Sequence, residues 1–395
     1  MVALKLLPFD AHNHIQLGPP PNPLSLASRS SHELIDDDNR NVSFENDRMS
    51  LVGSLGEYIR EELQGKHLSG MAIMATHPRD FSTILGLEQE IQQQQTQTEG
   101  KDTNTVNACI SNHLEESMKI LPCLGVHPWF LHELDPDVDW ALVSSSLDND
   151  ELVPKWTAEL EELLQRNPRA PVGEIGLDGF HFRSEGGTQE LTTPMDKQIE
   201  AFLLQLKIAT RLQRPVSLHC VRAMGKIMDA LDEVASENHK RWVAKVEKGV
   251  WNHEDDELMV LPPRIYFHAF GGKASTVTQL IKTLEKPRRI KLPQSNTKQK
   301  KFVKITPTKV YFGFAPPVNF QSPKTPSVIQ AVGLERLVLE TDREDIRAVG
   351  PDCQQAVPWL ASVLGISEEE LVRVTNANVQ DLYYSRETSS QKSAT

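Results

Sequence analysis

Short apolar runs with strand-like composition recur along the whole chain. Eight of them are rich in β-branched and aromatic residues, and most are separated by stretches with a helical pattern. They cover residues 9–15, 70–76, 121–129, 171–178, 215–221, 264–270, 310–316 and 336–342. Strands that alternate with helices are typical of a parallel sheet, and eight such units predict an α/β fold of the (β/α)8 TIM-barrel type. An open doubly wound sheet is the alternative, but no glycine-rich phosphate loop supports it.

The clearest helical pattern covers residues 194–212. Its apolar positions form one stripe with a period close to 3.6 residues, and Pro194 suits the first turn. The stretch 357–385 also has a helical pattern, and we expect it to pack outside the barrel.

Four polar segments interrupt the alternating pattern, so we expect a single barrel domain over residues 1–385 with insertions. The insertions cover 18–43, 92–119, 239–263 and 286–309, and a disordered tail covers 386–395. Solvated, partly disordered loops are the simplest interpretation. Segment 18–43 follows the first strand, so it is also a candidate lid over the mouth of the barrel. Segment 286–309 carries nine Lys and Arg and no acidic residue, and it joins a helix to the seventh strand. We therefore expect it on the face opposite the mouth, as a docking or nuclear-import segment.

Charge and cysteine content narrow the function classes. The net charge of −12 offers no general attraction for nucleic acid, so any contact with DNA must be local. The four cysteines form no C-x-x-C pair, which favours reduced thiols. The N-terminal apolar stretch is too short for a signal peptide, and no run has the length of a membrane helix. We expect a cytoplasmic or nuclear protein without a membrane association.

Histidines and carboxylates cluster at the carboxyl ends of the predicted strands. In a barrel these ends converge on one mouth, where active sites lie. Imidazole and carboxylate groups without a thiolate suit Zn, Mn, Mg or Co, and six such groups exceed the needs of one four-coordinate ion. We therefore predict two divalent metal ions sharing one bridging carboxylate. The predicted ligands are His12, His14, Glu174, His219, His268 and Asp342.

The same residues carry a resemblance to a known family. The blocks FDAHNHI, GVHPWF, VGEIGLD, PVSLHCVRA, HAFGG and LETD resemble, in order, the signature blocks of the TatD-like metal-dependent DNases, and in particular a divergent fungal and eukaryotic branch with long insertions. That branch includes a member described as a partner of an anaphase-promoting-complex subunit. The resemblance implies a (β/α)8 barrel, a dinuclear site and hydrolysis of phosphodiester bonds in DNA. It matches Glu174 to the bridging ligand, and His127 to a block where a substrate-binding role or a role beside the ligands is plausible.

Further roles can be assigned to residues near the predicted mouth. As catalytic residues we expect Glu174, which bridges the metals, and Asp342, which orients a water molecule and accepts its proton. Guanidinium groups match phosphate geometry, which gives four phosphate-binding candidates. These are Arg79, Arg183, Arg222 and Arg343. We expect Asp178 and Glu340 to accept hydrogen bonds from ligand histidines. After His219 and after Asp342 the sequence departs from the usual family pattern, in loops expected to contact substrate.

Two alternatives stay open at this stage. An amidohydrolase acting on a small substrate would share the barrel and the His-x-His pair, but many such enzymes bridge their metals with a modified lysine where this chain has Glu174. A catalytically weak binding partner in a cell-cycle complex would explain the insertions, which could contact another protein. The expected substrate is DNA or another phosphodiester.

Overall fold

The structure is a computed structural model, and it describes residues 7–15, 56, 59, 68–99, 119–145, 151–185, 188–248, 258–291 and 302–384. Seven of the eight predicted barrel strands form as regular β-strands. In chain order they are Phe9–Asn13, Gly70–Met74, Lys119–Cys123, Val172–Asp178, Val216–Val221, Arg264–Phe267 and Lys309–Phe312. We number them as the first to seventh barrel strands.

The barrel strands pair in parallel, in two arcs. The first, second and third strands form one arc, and the fourth, fifth, sixth and seventh form the other. The register places Phe9 opposite Gly70 and Ile265 opposite Val216. The arcs join where the Gly173 N–H donates to the Leu124 carbonyl at 3.0 Å. One continuous parallel sheet therefore runs from the first strand to the seventh.

The predicted eighth strand, residues 336–342, closes the barrel without forming a regular ladder. The Val338 N–H donates to the Phe312 carbonyl at 3.0 Å, on the side of the seventh strand. On the other side, the Ala11 N–H donates to the Leu339 carbonyl at 2.8 Å. Irregular backbone at this position leaves separate hydrogen bonds in place of a regular ladder, but both neighbouring strands are in contact. The predicted (β/α)8 barrel is confirmed.

A buried carboxylate holds the two ends of the chain together at this seam. Asp10 accepts hydrogen bonds from the Thr341 hydroxyl at 2.8 Å and from the Thr341 N–H at 3.0 Å. It also accepts from the His12 N–H at 3.3 Å and the Asn13 amide at 3.1 Å. Complete burial raises the pKa of Asp10 to about 7. This one side chain therefore connects the first strand to the segment that ends at Asp342.

Two layers of apolar side chains surround the sheet. The larger cluster fills the space between strands and outer helices, with members such as Ile73, Ile175 and Leu218. The smaller cluster uses alternate positions, among them Ala72 and Met74, together with residues near the C-terminus. Because successive strand residues point to opposite faces, the second cluster fills the barrel interior. Strands buried on both sides explain the nearly continuous apolar runs in the sequence.

Helices cover the outside of the barrel. They are Phe81–Glu99, Lys155–Arg166, Met195–Arg211, Met224–Glu247, Ala274–Leu284, Pro316–Asn319, Thr325–Val332, Ile346–Leu364 and Glu368–Val379, followed by a π-helical turn at Gln380–Tyr384. The helix predicted over 194–212 forms as Met195–Arg211, with Pro194 immediately before it. The predicted C-terminal helix is present as well. Among the described residues, no helix has both the length and the hydropathy that crossing a membrane requires.

Parts of three predicted insertions are regular structure, which corrects their interpretation as loops. Residues 92–99 continue the helix Phe81–Glu99, and residues 239–247 continue the helix Met224–Glu247. The ends of the basic segment 286–309 pair as an antiparallel hairpin, Arg288–Lys291 with Phe302–Ile305. Segment 18–43 and the tail 386–395 lie outside the described residues.

Two more hairpins decorate the barrel. Leu142–Ser144 pairs with Leu152–Pro154, and Phe182–Glu185 pairs with Thr188–Leu191. The second hairpin follows the carboxyl end of the fourth barrel strand, so it rises beside the mouth. Cys123, Cys220 and Cys353 are free thiols, and Cys109 lies outside the described residues.

Candidate metal centre

The first barrel strand contributes two histidines to one face. His12 and His14 are buried, and their Nε2 atoms lie 3.2 Å apart. The opposite ring nitrogens have separate partners: His12 Nδ1 lies 2.9 Å from the Ser217 hydroxyl, and His14 Nδ1 lies 3.2 Å from the Met74 carbonyl. These contacts fix both rings with Nε2 facing the barrel axis, which leaves Nε2 available as a ligand atom.

Glu174 lies at the centre of the cluster, with only 1% of its surface exposed. Its Oε2 atom lies 2.8 Å from His14 Nε2 and 3.2 Å from His12 Nε2. Its Oε1 atom lies 2.5 Å from His268 Nε2 and 2.8 Å from His219 Nδ1. The two carboxylate oxygens therefore face different imidazole rings.

The fifth and sixth strands supply the second pair. His219 has one ring nitrogen toward Glu174, and its other nitrogen, Nε2, lies 3.0 Å from Asp178 Oδ2. His268 stacks on His12 with a ring separation of 3.9 Å. Its Nε2 lies 3.2 Å from His219 Nδ1. The two pairs are thus in contact with each other around one carboxylate.

Asp342 lies at the edge of the cluster, nearer to solvent. Its Oδ1 atom lies 3.8 Å from both His12 Nε2 and His14 Nε2, and 20% of its side chain is exposed. Its backbone has a φ of 54°, in the left-handed region, and its N–H donates to the His12 carbonyl at 2.9 Å. Aspartate tolerates this conformation better than most residues, so the carboxylate can turn toward the histidines where the strand segment ends.

His127 is closer to the centre than its predicted position suggested. Its Nε2 lies 3.3 Å from Glu174 Oε1, and it forms a group of potential ligands with Glu174 and His219. Its Nδ1 accepts a hydrogen bond from the Trp129 N–H at 3.2 Å. His127 can therefore act as a further ligand. The signal in the sequence was its place directly after the third strand.

Burial and the contacts around Glu174 shift the pKa values of the cluster. Burial alone raises the pKa of Glu174, but the surrounding histidines, led by His268, hold it well below its usual range. Burial lowers the pKa of His219, yet hydrogen bonds to Asp178 and Glu174 outweigh this and raise it to about 9. Burial keeps the pKa of His127 low, at about 4. A buried carboxylate thus draws positive charge to this point, which a cation can supply.

The donor set fits divalent metal ions. Three groups of residues each bring three donor atoms within 4.8 Å of one another. They are His12 with His14 and Glu174, His12 with His268 and Glu340, and His127 with Glu174 and His219. Imidazole nitrogens 3.2 Å apart are well placed to share a cation, and no thiolate joins them. The residues present therefore match a metal-dependent site.

Glu340 has a different environment from the one expected. Its carboxylate accepts a hydrogen bond from the Tyr266 hydroxyl and another from the Ala269 N–H at 2.7 Å, so its partners are not ligand histidines. Burial, together with the negative charge of Asp342, raises the pKa of Glu340 well above its usual range. The expected role of Glu340 as an acceptor for a ligand histidine is therefore wrong, whereas Asp178 does contact His219.

Three of the four predicted phosphate-binding arginines contact a carboxylate or an aromatic ring, and the fourth is exposed. Arg79 pairs with Glu133 at 2.7 Å, and Arg343 pairs with Asp352 at 2.5 Å. Arg222 stacks on the Phe180 ring, with its Cζ atom 3.7 Å from the ring centroid. Arg183 is exposed on the hairpin that follows the fourth strand. Sequence position placed these residues after strand ends, but it could not indicate their carboxylate and aromatic neighbours.

A closed barrel whose strand ends gather five buried histidines around one carboxylate defines a metal-dependent hydrolase. A family model described as TatD related DNase matches residues 53–384, and the chain belongs to this family. The match begins after His12 and His14, so the fold independently brings that pair to the same site.

Two relatives agree with this assignment. The chain is 22% identical over 300 residues to the Cut9-interacting protein scn1 of Schizosaccharomyces pombe, covering 66% of this chain and 82% of that protein. It is 24% identical over 273 residues to human deoxyribonuclease TATDN3, covering 67% of this chain and 74% of that protein.

Two solved structures share the fold. A TatD-family hydrolase from Entamoeba histolytica aligns with a TM-score of 0.53 and 14% identity, covering 97% of this chain and 99% of that one. The TatD homologue YJJV from Escherichia coli aligns with a TM-score of 0.52 and 18% identity, covering 95% and 97%.

Proposed function

We propose that this chain hydrolyses phosphodiester bonds in DNA at a site that holds two divalent cations. The observation that carries the proposal is the division of Glu174: one carboxylate oxygen faces His12 and His14, and the other faces His219 and His268. A carboxylate whose two oxygens face different imidazole rings fits a ligand shared by two ions. Zn, Mn, Mg and Co are all compatible with this donor set.

The protein groups around the site suit hydrolysis of a charged ester. When bound, two such cations supply Lewis-acid charge that makes water more acidic and offsets negative charge on a phosphoryl group. Asp342 is the carboxylate at the solvent edge of the cluster, so it can orient an attacking water and accept its proton. Asp178 holds the His219 ring in one orientation through Nε2. Glu174, fully enclosed, keeps the ligand rings gathered.

DNA is the substrate that the relatives favour. The family description and the name of human TATDN3 both refer to DNases. The amidohydrolase alternative has less support, because the fourth strand carries Glu174 and no lysine within the run.

A protein partner is a second proposal, and it is compatible with the first. The fungal relative carries the name Cut9-interacting protein, which supports an interaction through the hairpins and insertions of this chain. A cytoplasmic or nuclear location would suit both roles. Retention of the chain on an immobilised partner, tested with and without the segment 286–309, would measure this role separately from catalysis.

The test of the proposed function combines metal analysis with one substitution. Purified chain should contain about two divalent ions per molecule and should cleave single- or double-stranded DNA, with activity lost on chelation and restored by Mn²⁺, Zn²⁺ or Co²⁺. Asp342→Asn should lower kcat by roughly 10²–10⁴-fold, as expected for loss of a general base. Asparagine also tolerates the left-handed backbone at this position, so the fold should persist.

Controls separate the alternatives. Asp232→Asn, at an exposed position of the helix Met224–Glu247, should leave kcat unchanged. Hydrolysis of a small cyclic amide but not of DNA would overturn the proposal in favour of an amidohydrolase. Wild-type rates in the Asp342→Asn variant would remove the role assigned to Asp342.

A further inference from the structure

Two exposed aromatic rings lie beside the metal centre. Among the described residues, three phenylalanines leave 40% or more of their surface exposed. Two of them are neighbours: Phe180 and Phe182 are 50% and 40% exposed, and their rings meet edge to face at 5.6 Å. The third, Phe302, lies on the hairpin that precedes the seventh strand, at the other end of the barrel. Exposed aromatic surface of this kind is concentrated at binding sites.

Arg222 completes this surface. Its guanidinium lies over the Phe180 ring at 3.7 Å, and the residue itself is exposed. Stacking on one face of Phe180 fixes that ring and places a positive charge next to it. We call Phe180, Phe182 and Arg222 the aromatic shelf.

The aromatic shelf is attached to the metal centre through Asp178. The Oδ1 atom of Asp178 accepts hydrogen bonds from the Phe180 N–H at 2.6 Å and the His181 N–H at 3.0 Å. Its Oδ2 atom lies 3.0 Å from His219 Nε2 and accepts from Trp129 Nε1 at 2.7 Å. The carboxylate that orients a ligand histidine therefore also positions the start of the shelf.

A stacked pair of rings borders the metal centre next to the shelf in sequence. Trp129 and His181 lie nearly parallel with centroids 4.5 Å apart, and the Trp129 ring is 6.0 Å from that of His219. Because Trp129 and His181 pack on each other, the open aromatic faces are those of Phe180 and Phe182. The shelf thus includes both chain neighbours of His181, whose ring stacks on Trp129 at the border of the metal centre.

We infer that the aromatic shelf binds a nucleobase of the substrate, on the nucleotide next to the phosphodiester at the metal centre. This inference rests on the proposed function. Phenyl rings offer a stacking face to any base, and an adjacent guanidinium complements the phosphate that follows. The acidic chain as a whole repels nucleic acid, so a local aromatic and cationic surface is the kind of contact that can hold it.

The experiment compares two substrates on the full chain. One is a thymidine trinucleotide, and the other has the same sugar–phosphate backbone with the bases removed. Phe180→Leu, Phe182→Leu and the double variant are measured beside Phe302→Leu, which removes an equally exposed ring at the other end. The shelf variants should raise KM for the thymidine substrate roughly 5- to 100-fold, the loss expected for one base stack, with kcat and metal content unchanged. The abasic substrate and Phe302→Leu should show no change.

Other outcomes decide against the inference or against the proposed function separately. An unchanged KM, or an equal loss on both substrates, overturns the shelf. Equal loss is expected if the shelf serves the fold, and an unchanged KM is expected if it serves a protein partner. If the chain cleaves neither substrate, its affinity for a non-cleavable thymidine oligonucleotide is measured by fluorescence anisotropy instead. Wild type could cleave neither substrate and still bind the thymidine oligonucleotide more tightly than the abasic one. If the shelf variants lose that difference in affinity, base binding by the shelf is supported and the proposed hydrolysis is contradicted. Equal binding of both by wild type overturns the shelf.

Discussion

Asp178 Oδ2 lies 3.0 Å from His219 Nε2, on the ring edge opposite the Nδ1 atom that faces Glu174. The histidine is thereby held between two carboxylates. Trp129 Nε1 donates to the same oxygen of Asp178 at 2.7 Å, so the carboxylate is fixed in turn. Hydrogen bonds to that carboxylate and to Glu174 raise the pKa of His219 against the opposing effect of its burial. The pairing directs Nδ1 toward the centre and increases its strength as a ligand.

Loss of this orienting carboxylate should weaken metal binding without unfolding the chain. Asp178→Asn keeps the size of the side chain but removes its charge, and we expect roughly 10- to 100-fold lower metal affinity, the usual effect of such a change. Competition with a chromogenic chelator measures this affinity. Asp232→Asn, on an outer helix, serves as the control. Equal affinities in Asp178→Asn and wild type would contradict the orienting role.

Removal of the central charge should abolish the stabilisation that metals provide. Ions that bind only the folded state stabilise it by about 2.7 kcal/mol when present at 100 times their Kd. Glu174→Gln replaces the anionic group with a neutral amide, so added Mn²⁺ or Zn²⁺ should raise the melting temperature of wild type but not of the variant. Differential scanning fluorimetry over a metal titration measures this. A similar rise in both proteins would show that Glu174 is not a shared ligand.

Gly176 should tolerate no side chain, because the fourth and fifth strands approach closely at this residue. It lies opposite His219, its φ is 153°, and an added Cβ would come within 2.0 Å of the His219 carbonyl oxygen. Gly176→Ala should therefore lower the free energy of unfolding by about 3 kcal/mol or more, through overpacking and strain, and should reduce metal affinity by displacing His219.

Gly225 provides the matched control for that change. It lies in the helix Met224–Glu247, and an added Cβ would meet nothing within 4 Å. Gly225→Ala should be neutral or stabilise the chain by up to ~1 kcal/mol. Urea unfolding of both variants gives the comparison, and equal stabilities would contradict the close approach of the two strands.

The contribution of Asp381, in the C-terminal π-helical turn, to the stability of the fold should depend on pH. Its carboxylate contacts Arg264 at 3.1 Å, Lys309 at 2.6 Å and the Tyr311 hydroxyl. Burial raises the pKa of Asp381, but these partners outweigh burial and lower it to about 2. A carboxylate with a depressed pKa stabilises the fold at pH values above its unfolded pKa of about 3.9. This stabilisation is lost as the pH falls toward 2. The stability difference between wild type and Asp381→Asn should shrink from pH 5 downward, measured by urea unfolding. A constant difference would contradict this linkage.

The sequence predicted the barrel well, and it predicted that the histidines and Glu174 lie together, because both depend on simple periodicities. Strand runs buried on both faces stand out from their surroundings, and His12 and His14 at a spacing of two had to share a face. The eighth strand is less regular than its composition suggests, since it contacts its neighbours through separate backbone hydrogen bonds and not through a regular ladder.

The predicted insertions show where reasoning from composition fails. The polar glutamines at 92–95 suggest a loop, but glutamine favours helices, and the helix Phe81–Glu99 continues through them. In the basic segment, Ile290 and Ile305 are buried and alternate with exposed charges, a strand pattern that the high charge concealed. The arginines near the mouth pair with residues that local sequence does not reveal, as Arg343 does with Asp352.

The Asp10–Thr341 contact has a consequence for synthesis of the chain. These two residues are 331 positions apart in the sequence, yet their hydrogen bond lies next to His12 at one end and Asp342 at the other. Contacts of such long separation form only after the intervening chain has been ordered, at a large entropic cost. A nascent chain on the ribosome therefore lacks the assembled site until its last strand segment has emerged. A chain truncated before residue 341 lacks Asp342 and also lacks the hydrogen bonds from Thr341 to Asp10 that join the two ends of the barrel beside this site.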